Sequence, residues 1–86
     1  MKYYLVLSCN TEGGDAFVEG IFKTKNSASL FLKDIVIQML DELVDNGYGD
    51  SRDDFEYFID ENAGDIYLDD CTYYFKVTEI DTDEAV

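Results

Sequence analysis

This sequence is rich in one kind of side chain that can take part in catalysis or bind metals, the carboxylate. The chain has 20 Asp and Glu residues against six Lys and Arg residues, a net charge of −14, and no histidine. Without histidine, a Ser-His or Cys-His nucleophile cannot be assembled, so acid–base work by paired carboxylates is the catalysis that remains. That work needs a cleft that shifts a carboxylate pKa, for which 86 residues leave little room. We therefore expect no enzyme activity.

Two cysteines and one Asp-rich segment are the candidates for metal binding. Cys9 and Cys71 form no CxxC pair, so we expect free thiols rather than a zinc site. Segment 60–71 departs from the EF-hand template at its fifth, sixth and twelfth positions, where it has Gly64, Asp65 and Cys71. Weak binding of divalent ions by so many acids stays open but would not define the function. We expect no metal site and no cofactor.

The acids are concentrated in the C-terminal two-thirds of the chain. Residues 1–33 contain three acids and four lysines, a net of +1, whereas residues 34–86 contain seventeen acids against Arg52 and Lys76, a net of −15. A solvated surface accounts for any single acid, but solubility needs only a modest net charge of mixed signs. The excess also excludes nucleic acid and anionic membranes as direct partners, because both require basic patches.

A dense array of carboxylates can occupy a basic cleft that is built for phosphates. Duplex DNA carries one charge per ~1.7 Å of axis, and acids on a helix face can imitate that ladder. Interleaved tyrosines can add buried anchors, although partial burial in the core is the alternative for each. The expected partner-binding residues are Asp41, Asp45, Asp50, Asp53, Asp54, Glu56, Tyr57, Asp60, Glu61, Tyr67, Asp69 and Asp70.

Acid-dense segments such as 50–56 (DSRDDFE) and 65–70 (DIYLDD) give the chain a resemblance to a known type of protein. It resembles the small, acidic, cysteine-poor α+β proteins of phages and prophages that include DNA-mimic inhibitors of host defence, of the anti-CRISPR and anti-restriction type. The resemblance is one of composition, covers about residues 34–86 and includes no specific motif. It implies a non-enzymatic inhibitor that blocks the basic nucleic-acid site of a nuclease or CRISPR effector in the bacterial cytoplasm.

The alternative function is a small self-associating cytosolic accessory or regulatory domain with no nucleic-acid-mimic role. The long predicted helix is apolar over more than half its circumference, and the predicted strands over residues 3–8 and 16–23 are apolar on both faces. Surplus apolar surface on a small domain suggests a partner chain, which makes a homodimer possible. The two functions are compatible, because a dimer would double the acidic surface.

The N-terminal half is predicted to form a hairpin and a long helix. Residues 3–8 and 16–23 have the aromatic and branched side chains typical of strands, with a turn-rich loop between them. Thr24 or Asn26 is expected to cap a helix that ends before Gly47. Its buried stripe is expected to comprise Ala28, Leu32, Ile35, Val36, Met39, Leu40, Leu43 and Val44.

The C-terminal half is predicted to form a short helix and a second hairpin. Ser51 is expected to cap the helix, which would end at residues 63–64, and strands are expected over 66–68 and 72–80. The inward side chains are expected to be Phe55, Phe58 and Ile59 of the helix and Tyr73, Phe75 and Val77 of the last strand.

These elements predict one α+β domain spanning residues 1–86. Its antiparallel sheet would have about four strands in ββααββ order, with one long and one short helix packed on one face. Residues 81–86 are expected to form a frayed acidic tail. The apolar run at the N-terminus is too short for a signal peptide or a membrane span, so we expect a cytoplasmic protein with no membrane partner.

Overall fold

The computed structural model describes residues 1–11, 13–14, 16–69 and 71–81. Within them the chain forms one antiparallel sheet of five strands and one α-helix, α1 (Lys25–Asp45). The strands are β1 (Lys2–Asn10), β2 (Ala16–Phe22), β3 (Glu56–Ile59), β4 (Ala63–Tyr67) and β5 (Thr72–Asp81). Their order across the sheet is β2-β1-β5-β4-β3, so β2 and β3 are the edges.

The predicted four strands and two helices in ββααββ order are wrong. The described chain has the order β-β-α-β-β-β, and the expected second helix is a single 3-10 turn over Arg52–Asp54 followed by β3. In β3, Tyr57 pairs with the buried Ile66 of β4 and Phe58 pairs with Asp65. Successive side chains of a strand point to opposite faces, so Tyr57 and Ile59 lie on the side of the buried Ile66. Phe58, which was predicted to point inward, lies on the other face and is 49% exposed.

Gly64 accounts for the error at the end of the predicted second helix. We predicted residues 63–64 as the end of a helix, but they begin β4, which extends over Ala63–Tyr67 rather than 66–68. A Cβ added to Gly64 would lie 2.7 Å from Cγ2 of Val36 in α1. The glycine is therefore a strand residue that lets the helix pack closely on the sheet.

The core lies between α1 and one face of the sheet. Leu32, Leu40 and Ile66 are fully buried. The predicted helical stripe is confirmed at five positions, and Ile35 and Met39 pack against the core from its edge. The buried residues are Ala28, Leu32, Val36, Leu40 and Leu43 of α1 and Val6, Ile66 and Phe75 of the sheet.

Both ends of α1 follow the sequence signals. Thr24 is the N-cap, and its hydroxyl accepts a hydrogen bond from the Ser27 amide at 3.2 Å. At the other end, Gly47 has a φ of +85°, and the amides of Gly47 and Tyr48 donate to the carbonyls of Val44 and Leu43. This is a Schellman motif, which turns the chain back toward the sheet. Within the described residues, no helix is long and apolar enough to cross a membrane.

Strand register assigns each strand side chain to one of two faces. The helix face carries Tyr73, Phe75 and Val77, as predicted, and packs against α1. The opposite face, which we call the open face, has no described element packed over it. Its residues are Tyr3, Leu5, Leu7, Cys9, Ala16, Val18, Ile21, Glu56, Phe58, Ala63, Asp65, Tyr67, Thr72, Tyr74, Lys76, Thr78 and Ile80.

Candidate acidic interface

A cleft of about 560 Å³ lies where α1 ends. The last turn of the helix, the segment after it and the turn between β4 and β5 form its walls. Three carboxylates line it, those of Glu42, Asp54 and Asp69. Apolar and aromatic residues line the rest, among them Leu43, Tyr48, Phe55, Leu68 and Tyr73. We call it the acidic cleft.

Asp54 fixes the segment that closes one side of the acidic cleft. Its carboxylate accepts hydrogen bonds from the amides of Asp50 at 2.7 Å and Ser51 at 3.0 Å. Phe55 packs against the core, and a Cβ added to Gly49 would lie 2.9 Å from its ring. Ser51 and Asp54, which predict a helix cap in the sequence, therefore stabilise a single turn. Their contacts hold that turn against the end of α1.

Asp41 and Arg52 tie the same turn to the helix. The guanidinium donates from Nε at 2.7 Å and from Nη2 at 2.9 Å to the two carboxylate oxygens. These hydrogen bonds, and the positive charge of Arg52, lower the pKa of Asp41 below its ordinary value. Asp41 is thus already paired within the chain, whereas a free ladder of acids was expected along this helix.

Unpaired negative charge surrounds the acidic cleft. Glu42 and Asp45 lie in the last turn of α1, which contains no basic residue. The negative end of the helix dipole adds to their field. Asp50 and Asp53 are exposed on the neighbouring segment. We call the region around Glu42, Asp45, Asp50, Asp53, Asp54 and Asp69 the acidic end.

The lysines lie elsewhere. Lys2 begins β1, and its strand partner Asp81 ends β5, at the opposite end of the sheet from the acidic cleft. Lys25 begins α1, so it is separated from Asp45 by the full length of the helix. In the part of the chain that the structure describes, Arg52 is the cation of the acidic end.

The structure brings together about half of the predicted partner-binding residues. Asp60 and Glu61 lie in the turn between β3 and β4, where the Asp60 carboxylate accepts the amides of Asn62 and Ala63 at 2.8 Å each. Ser29, near the start of α1, donates to the carbonyl of Glu61, which places this turn away from the acidic end. Residues at or near the acidic cleft are Asp41, Asp45, Asp50, Asp53, Asp54, Tyr67 and Asp69.

The two predicted tyrosine anchors point to opposite faces of the sheet. Tyr57 shares the helix face with Ile66, whereas Tyr67 and its strand partner Glu56 are on the open face. The hydroxyl of Tyr67 donates to Asp65 at 3.1 Å, which raises the pKa of this tyrosine. Asp70 lies outside the described residues.

The predicted site did not include Glu42, Tyr48 and Phe55, which line the acidic cleft. Glu42 belongs to the acidic arc of the helix three residues before Asp45, a signal that was available. Tyr48 follows the helix-ending Gly47 and is 70% exposed. Phe55 was assigned to the inner face of a helix, so its place beside the acids could not be anticipated.

A second cavity of about 330 Å³ adjoins the acidic cleft and shares Met39, Glu42 and Tyr73 with it. An irregularity in the pairing of β1 with β2 leaves Glu19 without a strand partner. The Glu19 carboxylate accepts the Ser8 hydroxyl at 2.7 Å and lines this cavity. The two cavities together form a groove that is lined by half-buried apolar side chains, such as Ile35 and Met39, and by exposed acids, such as Glu19 and Glu42.

The metal-binding candidates do not assemble. Among the described residues, no three acidic or cysteine side chains are placed so that they could hold one ion. Cys9 and Cys71 are free and half-buried. The Asp60 side chain serves the turn between β3 and β4 instead of an ion-binding loop.

No protein-family model, curated protein or solved structure matches the chain.

Proposed function

We propose that the chain is a non-enzymatic DNA mimic whose acidic end occupies the basic nucleic-acid site of another protein. In its most concrete form it is a phage-type inhibitor of a CRISPR or restriction effector and acts in the cytoplasm of a bacterial host. The proposal rests on the charge of the acidic end and on the resemblance in composition.

The placement of acids against the helix dipole is the observation that carries the proposal. Folding stability favours Lys or Arg in the last turn of a helix, where the dipole is negative. This chain instead has Glu42 and Asp45 there, with Asp50, Asp53 and Asp69 nearby. Acids that repel one another at a helix C-terminus oppose folding. A cationic partner that neutralises them accounts for their presence.

The groove beside these acids suits the side chains of a nucleic-acid site. Such sites present Arg and Lys, which combine a long apolar stem with a charged head. The half-buried Ile35 and Met39 line the groove and can pack against a stem, while the exposed Glu19 and Glu42 can accept the head. Tyr48 is exposed beside them and can supply the aromatic contact area that interfaces favour.

A self-associating accessory domain is the second candidate. The observation that favours it is the open face, where Val18, Ile21, Phe58 and Tyr74 are exposed. That face lies across the sheet from α1. Tyr67 belongs to it and also lines the acidic cleft, but the acids of the acidic end lie outside it.

The test is capture of partners from a host lysate on the immobilised chain at low salt, followed by elution with a salt gradient. We expect a nucleic-acid-binding enzyme to be retained and to elute at moderate salt, because screening weakens charge-driven binding. A variant with Asp45→Asn, Asp53→Asn and Asp69→Asn should bind that enzyme at least about tenfold more weakly. Asp54 stays unchanged because it holds the turn together.

The matched control carries Glu61→Gln, Glu79→Gln and Asp81→Asn. It also loses three negative charges, but at the opposite end of the molecule. We expect it to retain the captured enzyme as well as the unaltered chain does. Equal losses in the two variants would show that overall charge, and not the acidic end, drives binding, and the proposal would fail.

A further inference from the structure

The open face has the composition of a buried surface. On β1 it carries Tyr3, Leu5, Leu7 and Cys9, whereas the same strand sends Tyr4, Val6 and Ser8 toward the helix. The outward side of β1 is therefore no more polar than the inward side. Further large side chains are exposed there: Val18 at 57%, Ile21 at 63%, Phe58 at 49%, Tyr67 at 41% and Tyr74 at 43%.

An antiparallel sheet with a solvated face normally shows polar residues there. This chain has 20 acids, yet the open face holds just two of those that the structure describes, Glu56 and Asp65, together with Lys76. As far as the structure describes the chain, one side of this highly acidic molecule is therefore nearly free of acids. A surface that faced water would have no reason to exclude them.

The charges that remain are complementary to one another. Lys76 is on β5, the central strand of the sheet, and it forms no ion pair with any described residue. Asp65 is on the neighbouring strand β4, and both residues line a shallow depression of about 270 Å³ with Leu7, Ala63 and Tyr74. A partner that covers this depression must neutralise Lys76, because an unpaired buried charge is strongly unfavourable.

We propose that the open face is the interface of a symmetric homodimer, in which Lys76 of each copy lies against Asp65 of the other. A two-fold axis requires a patch that is complementary to itself, and one lysine beside one aspartate meets that requirement. The result is two sheets packed face to face, with the helices and acidic ends outermost. This interface does not depend on the proposed DNA mimicry, and it gives a geometry to the second candidate, the self-associating domain.

The size of the face fits a dimer. At ~3.3 Å by ~4.8 Å for each strand residue, the five strands present a flat area of roughly 550 Å². Accessible surface follows the relief of the side chains and exceeds the flat area, so it approaches the ~800 Å² per partner of a standard interface. An apolar sheet of this extent can therefore hold two copies of the chain together.

Salt separates this interface from binding through the acidic end. Each copy carries a net charge of −14, so two copies repel, and screening by salt relieves the repulsion. Dimerisation should strengthen as NaCl is raised, whereas capture of a basic partner should weaken. Either surface can thus fail its test without affecting the other.

Sedimentation equilibrium on the full chain tests the dimer. We expect twice the 9.8 kDa mass at micromolar concentrations in high salt. In a symmetric dimer, Tyr74→Glu places two carboxylates near the centre of the interface, one from each copy. This change should weaken dimerisation at least about tenfold. The matched control is Tyr57→Glu, because Tyr57 is 41% exposed against 43% for Tyr74 but lies on the helix face. The control should remain dimeric.

A charge exchange tests the arrangement of the two copies. Lys76→Asp alone should give a monomer, and adding Asp65→Lys should restore the dimer, because the reciprocal pair is re-formed with its signs reversed. Circular dichroism confirms that each variant is folded. A monomeric unaltered chain in high salt, or a Tyr74→Glu variant that dimerises like the Tyr57→Glu variant, would overturn the proposal. Failure of the double exchange to restore the dimer would exclude the pairing of Lys76 with Asp65.

Discussion

Asp41 shows how one residue of the predicted acidic array serves the fold. Its two hydrogen bonds to Arg52 join α1 to the 3-10 turn that closes the acidic cleft. Both side chains are about half exposed. An exposed pair adds little stability by itself. Its main effect is to position Asp50, Asp53 and Asp54 beside the helix end.

The direction of the pKa shift of Asp41 predicts how the stability contributed by its pair with Arg52 depends on pH. Folding lowers the pKa of Asp41 from 3.8. The contribution of the ion pair to folding stability is therefore fully present above pH 3.8, and it is lost as the pH falls through the lowered pKa. Asp41→Asn should therefore reduce the melting temperature near neutral pH. The difference from the unaltered chain should shrink as the pH is lowered below 3.8. Thermal unfolding followed by circular dichroism measures both.

Asp45→Asn is the control for this prediction. Asp45 is in the last turn of the same helix and has no basic partner there. Removing its charge should leave the melting temperature unchanged or raise it, because the helix dipole disfavours an acid at that end. A larger loss in Asp45→Asn than in Asp41→Asn would contradict the assigned role of the Arg52 pair.

At the scale of elements, the close packing of α1 on β4 depends on Gly64. A methyl group there would meet Cγ2 of Val36 at 2.7 Å, and a valine in a helix has one favoured rotamer, so it cannot move aside. Gly64→Ala should destabilise the protein by about 1–3 kcal/mol. Denaturant unfolding measures this change.

Gly13→Ala is the matched control for Gly64→Ala. Its Cβ would meet nothing within 4 Å. We expect a change within about 0.5 kcal/mol, as for most surface positions. If the two alanine variants unfolded alike, the close approach of helix and strand would not matter to stability.

Local signals predicted the first half of the fold and failed in the second. The period of the helix, its Thr24 cap and the Gly47 stop are properties of consecutive residues, so they can be read from the chain. β3 owes its conformation to pairing with β4, which adjacent residues do not reveal. The Ser51 signal was correctly located, but a cap does not determine how far a helix continues.

The candidate site was likewise predictable only where it is formed by residues that are close in sequence. Acids next to one another in sequence, such as Asp50, Asp53 and Asp54, stay together in the structure. Asp60 and Glu61 were expected beside them because a continuous helix would have carried them there. The extended strand β3 instead carries them to the turn before β4, away from the acidic end.

At the scale of the whole molecule, charge and apolar surface are segregated. The acidic end is at the C-terminus of α1, and the open face lies on the other side of the sheet. The sheet thus separates a surface that suits a basic partner from one that suits a second copy. A dimer built through the open face would present two acidic ends to one target, which raises avidity where the target offers two sites.

Competition with duplex DNA is the most direct measurement of the proposed mimicry. The captured enzyme is loaded with fluorescent duplex DNA, and its anisotropy is followed as the chain is added. We expect full displacement of the DNA, with a midpoint that rises with salt and is at least about tenfold higher for the Asp45→Asn, Asp53→Asn, Asp69→Asn variant. A ternary complex that retains the DNA, or displacement by that variant at the same concentration as the unaltered chain, would contradict the proposal.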